Sequence, residues 1–108
     1  MRCRKKKNLP PFVALSREML KSKEWRTELS SSAKVLYIHI KHKYVGSNNG
    51  SIRLYYSEMG DMMADGTIAR AFQELEEAGW IERVKIGTGR YRWVYDIKLT
   101  GKHDSIIF

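Results

Sequence analysis

The chain has 108 residues, enough for one compact domain and too few for two cores that fold independently. Its hydrophobic residues, 43% of the total, come in short periodic runs, and none of these approaches the ~20 apolar residues of a membrane helix. The formal net charge of +8 favours polyanionic partners such as nucleic acid or an acidic membrane surface. One cysteine, Cys3, cannot form an internal disulfide and fits a reducing compartment. The charged start Met1 to Asn8 leads into Pro10-Pro11 and a mixed segment rather than the apolar stretch of a secretory signal, so a cytoplasmic protein is expected.

Along the chain, Ser16 is placed to cap a short helix over Arg17 to Lys21, with Trp25 and Leu29 closing an apolar patch. Ser30-Ser31-Ser32 precedes a longer pattern, Val35, Leu36, Ile38, His39 and Ile40 interleaved with lysines, which predicts an amphipathic helix to about Tyr44. Gly46 to Gly50 is turn chemistry, Ile52 and Leu54 read as a short strand, and Ser57-Glu58 starts a second helix through Met59, Met62 and Met63, methionines expected to fill core. Ala64-Asp65-Gly66-Thr67 should break that helix. From Thr67, the apolar residues Ile68, Ala71, Phe72, Leu75 and Ala78 recur at three and four, defining a third helix that stops at Gly79. Two strand-like runs, Trp80 to Ile86 and Tyr91 to Leu99, flank the hairpin tip Gly87-Thr88-Gly89-Arg90.

Two short helices joined by a tight turn and followed at once by a hairpin supply one helix for the major groove and a loop for the adjacent backbone. The run from Ser57-Glu58-Met59 through Thr67-Ile68-Ala69-Arg70-Ala71-Phe72, on to Leu75 and Gly79-Trp80-Ile81, resembles winged helix-turn-helix domains of bacterial regulators and of phage or plasmid replication proteins. Pieces such as Phe12-Val13, Met19-Leu20, Ser47-Asn48-Asn49-Gly50 and Leu99-Thr100 extend the resemblance to a poorly characterised bacterial group over roughly residues 12 to 100. The resemblance implies an α+β, mainly α fold, with a three-helix core and a small antiparallel sheet or hairpin wing. It also implies double-stranded DNA binding, by a transcriptional regulator or a replication or mobile-element protein. The expected organisation is a basic flexible tail over 1–11, the domain over 12–102 and a C-terminal tail over 103–108.

Carried onto this chain, the pattern makes Thr67 to Glu77 the recognition helix, with Thr67, Arg70 and Gln73 facing DNA. The helix N-terminus adds free backbone amides for a phosphate. Many relatives place Gly-hydrophobic-Ser in the turn, whereas this chain has Met63-Ala64-Asp65-Gly66, and Asp65 either caps the helix or meets a phosphate. Lys85, Thr88, Arg90 and Arg92 gather around the hairpin tip as wing contacts. Arg2, Arg4, Lys5, Lys6 and Lys7 give residues 1–7 a charge of +5, either a DNA arm or a solvated charge run.

The competing readings are structural. Arg70 can pair with Glu74 one turn on, and the wing cations can serve only to keep a hairpin edge soluble. Tyr91, Trp93 and Tyr95 alternate as a stacking platform would, but Ile97 and Leu99 continue the same face and favour a core role, as expected also for Trp25 and Trp80. His39 and His42 stand three apart without Cys or acidic partners to complete a metal shell. No phosphate loop, nucleophile elbow or paired carboxylate is present, so neither an enzyme nor a cofactor, metal or small-molecule effector is expected. Asp65 to Gly79 carries a charge of −3, with Arg70 against Asp65, Glu74, Glu76 and Glu77. That acidity keeps open a winged helix used as a protein-interaction module without DNA affinity. A homodimer through the first long helix or through Ser105 to Phe108 is the expected way to double a half-site.

Overall fold

A computed structural model describes residues 12–85 and 95–104, with only the backbone at Lys85. The chain builds an α+β fold in which helices α1 (Arg17–Lys21), α2 (Ser31–Lys43), α3 (Tyr56–Met59) and α4 (Asp65–Glu77) precede strands β1 (Ile81–Lys85) and β2 (Tyr95–Leu99). A single π-helical turn, Glu24–Glu28, joins α1 to α2. Both predicted serine caps are present. The Ser16 hydroxyl accepts from the Met19 amide and the Ser30 hydroxyl from the Ala33 amide, each at 3.1 Å, satisfying donors that a helix start leaves without partners.

β1 and β2 pair antiparallel, with Ile81 opposite Leu99 and Lys85 opposite Tyr95. The predicted strand at Ile52 and Leu54 is reduced to one bridge. Ile52 pairs with Ile97 on the edge of β2 away from β1, its carbonyl accepting from the Ile97 amide at 2.8 Å. The core lies between the sheet and the helices: Leu36 and Ile40 of α2, Ile68, Ala71, Phe72 and Leu75 of α4, and Ile81, Ile97 and Leu99 of the strands are all buried. Trp80 joins them, with ring centroids 5.3 Å from Tyr37 and 5.9 Å from Trp25. The expected core role thus holds for Trp80 and, half-buried, for Trp25. Tyr95 is half-buried; Tyr91 and Trp93 lie outside the described residues.

Gly79 ends α4 as expected, at φ +82, with its amide bonded to the Glu76 carbonyl and the Trp80 amide to the Leu75 carbonyl. This paired closure needs a left-handed residue, and glycine adopts that conformation without a Cβ penalty. Lys102 reaches the same helix end, donating to the Ala78 carbonyl at 2.7 Å while also bonding Glu24 at 2.8 Å. A cation is favourable at a helix C-terminus. The bonded Lys102 ammonium holds the Glu24 carboxyl below its usual range.

Three expectations need correction. α4 begins at Asp65, two residues before the predicted Thr67, because first-turn amides need no helical acceptor and neither Asp nor Gly is excluded there. Asp65 is therefore inside the first turn, and the cap position is Ala64. The second helix stops at Met59 rather than running through Met63. Met59 is buried, whereas Met62 is 48% exposed and fills no core. Finally, the stretch expected to be a C-terminal tail contains Asp104, which is fully buried and bonded to Lys41 and Tyr37 of α2.

Candidate nucleic-acid interface

The start of α4 is open at its first turn. Ala64 makes no side-chain cap, and its carbonyl receives both the Thr67 and Ile68 amides at 3.0 Å, so the amides of Asp65 and Gly66 have no helical acceptor. Ile68, Ala71, Phe72 and Leu75 anchor one face of the helix in the core. The opposite face carries Gly66, Ala69, Arg70 and Gln73 exposed, with Thr67 half-buried. The structure therefore places Thr67, Arg70 and Gln73 along one accessible stripe, as the helical period requires.

Arg70 leans back over the first turn. One guanidinium nitrogen lies 3.5 Å from the Thr67 hydroxyl, and a Cβ added to Gly66 would sit 3.8 Å from another. The alternative pairing with Glu74 is not formed. Glu74 instead accepts from the Ser30 amide at 2.7 Å and the Ser30 hydroxyl at 2.8 Å, fastening α4 to the N-terminus of α2. That position is favourable for a carboxylate because the helix dipole is positive there. Gln73 donates to Glu77 at 3.0 Å. The N-terminal half of the exposed face thus offers the Thr67 and Arg70 donors beside the exposed Asp65 carboxylate, which does not cap the helix, and the C-terminal half carries carboxylates.

Arg83, which the sequence reading did not single out, links this helix to the sheet. It points inward from β1, and its side chain is only 13% exposed. Its guanidinium donates to Glu76 through Nε at 3.2 Å and through a terminal nitrogen at 3.0 Å. The same guanidinium lies 5.0 Å from the centre of the Phe72 ring and 4.4 Å from that of Tyr95, both within cation–π range. Tyr56 stacks on Phe72 at 6.1 Å, which brings α3 into the same array. Beside it, a cleft of about 520 Å³ opens between α4 and the strands, lined by Tyr56, Gln73, Glu76, Glu77, Arg83 and Tyr95 among others.

Of the other sequence-derived residues, Thr88, Arg90, Arg92 and Arg2, Arg4, Lys5, Lys6 and Lys7 lie outside the described residues, as does the side chain of Lys85. Among the described residues no His, Cys, Asp and Glu group is arranged to hold a metal, and no helix is long and apolar enough to cross a membrane. No family model matches the chain, and comparison with curated proteins and with solved structures found nothing similar. The functional reading rests on the residues themselves.

Proposed function

We propose that this chain is a winged helix-turn-helix domain that binds double-stranded DNA, with the N-terminal half of α4 in the major groove and the β1–β2 hairpin against the backbone. The element order supports the fold assignment. α3, a short turn and α4 lead directly into the hairpin, and Ile52 pairs with the outer edge of β2. The observation that carries the function is Arg70. It stands on the exposed stripe beside Thr67 and an uncapped helix start, unpaired with any carboxylate among the described residues because Ser30 holds the nearest one on the helix, Glu74. An arginine so placed can donate to a base edge or a phosphate oxygen, and the free amides favour the same anion. On this reading the protein acts as a transcriptional regulator or as the DNA-binding part of a replication or mobile-element protein, with two copies pairing on a two-fold site.

Arg70→Ala tests the placement of α4. Losing one such contact costs about 1–3 kcal/mol, so duplex affinity should fall by about fivefold or more at fixed salt while the thermal midpoint stays put. Unchanged affinity would remove α4 from the groove. A second reading, a winged helix that binds a protein instead of DNA, draws on one observation: Glu76 and Glu77 rim the cleft beside Tyr56 and Tyr95. It predicts a stable protein complex and no affinity for duplex.

A further inference from the structure

Arg83 occupies a place that an arginine rarely takes without a reason. In β1, alternate residues face the helices, and Ile81 on that face is buried. Two positions on, where another apolar side chain would be cheapest, stands a guanidinium packed between the rings of Phe72 and Tyr95 and bonded twice to Glu76. Phe72 and Glu76 are one turn apart on α4, and Tyr95 is the first residue of β2. One planar cation therefore touches the helix proposed to enter the groove and both strands of the hairpin proposed to follow the backbone. A flat group with several donors can lie against two rings while bonding a carboxylate twice; a lysine ammonium is a point charge and cannot reproduce that set of contacts.

We propose that Arg83 is a positioning residue for DNA binding, setting the angle of the β1–β2 hairpin against α4 so that both meet one duplex, without itself contacting DNA. This rests on the DNA-binding reading above. Nearly all of the Arg83 side chain is covered and its charge is already met by Glu76, so it has little to offer a phosphate. What it controls is where β1 and β2 lie against α4.

The test compares the full chain with Arg83→Met, Arg83→Lys and Glu76→Gln. It measures the thermal midpoint and the affinity for a random-sequence duplex across a salt series. Arg83→Met keeps apolar bulk between the rings, and it should lower affinity about tenfold and flatten the dependence of log affinity on log salt by about one to two contacts. Arg83→Lys should behave like the methionine variant. If Arg83 acted as a charge toward phosphate, lysine would restore affinity and slope, and that result overturns the proposal. Glu76→Gln guards against a methionine variant that fails to fold. Removing a carboxylate near DNA should raise affinity by electrostatics alone, whereas loosening Arg83 should lower it about threefold. A rise, or wild-type binding by folded Arg83→Met, overturns the positioning role and leaves DNA binding intact. Failure of the unaltered chain to bind duplex defeats the DNA-binding reading instead.

Discussion

Replacing Asp104 by alanine is expected to destabilise the fold by about 3–5 kcal/mol, the usual cost of stranding the partner of a buried ion pair. One carboxylate oxygen of Asp104 accepts from the Lys41 ammonium and from the Tyr37 hydroxyl, both at 2.9 Å, with Lys41 only 3% and Asp104 0% exposed. Burial, followed by the neighbouring Asp104 charge, pushes the Tyr37 hydroxyl well above the usual phenol range, so Tyr37 stays a neutral donor. The pair fastens the segment after β2 to the last turn of α2, and the Tyr37 bond fastens it to the middle of that helix. The same segment reaches α1, since the Ser16 hydroxyl donates to the His103 carbonyl at 2.8 Å. Taking two charges out of water is itself expensive, so the pair adds little over an apolar substitute. The triple variant Tyr37→Phe, Lys41→Met and Asp104→Leu, which strands neither the ammonium nor the phenol, should therefore recover much of what Asp104→Ala loses. Denaturant unfolding measures both, and a loss under about 1 kcal/mol for Asp104→Ala would contradict the burial described.

Trp80 should show an unusual contrast between its alanine and phenylalanine variants. It is 1% exposed and sits among Trp25, Tyr37 and His103 where α4 hands over to β1. Trp80→Ala should cost about 3–5 kcal/mol, because a large core ring is removed and its surroundings close only in part. Among the described residues the indole Nε1 is buried without a hydrogen-bond partner. Trp80→Phe therefore forfeits no hydrogen bond and removes a polar group that gains nothing from burial. Its cost should be limited to the smaller cavity, about 1 kcal/mol. Comparable losses for the two variants would show that the N–H has a partner after all.

Much of this architecture was legible locally. Ser16 and Ser30 announced helix starts, the spacing of Ile68, Ala71, Phe72 and Leu75 gave the buried face of α4, and Gly79 gave its end. In each case the signal and the structure it specifies lie within one or two helical turns. What was missed depends on partners far along the chain. Glu74, open from sequence as a competing partner for Arg70, binds Ser30, 44 residues earlier. Asp104 looked like part of a tail but is buried against Lys41, 63 residues away. Arg83 did leave a mark, an arginine in register with Ile81 on the inward face of a strand, but a residue count of charge hides it. The exposure of Arg70 and Gln73 follows from helical period alone. That Arg70 is left without a carboxylate partner among the described residues does not, because it depends on where Ser30 lies.

The proposed grip on the phosphate backbone of duplex DNA makes affinity depend on salt. Each phosphate met by a cation releases counterions, so log affinity falls with log salt in proportion to the number of contacts. Contacts from Arg70, Lys85, Arg90 and Arg92 would give a slope of about −3.6, a loss of about 150-fold between about 50 and 200 mM salt. The measurement is fluorescence anisotropy of a labelled random-sequence duplex titrated with the full chain at those two concentrations. A loss of about a hundredfold or more is the predicted result. No binding at the lower salt, or an affinity indifferent to salt, would rule out the proposed DNA grip.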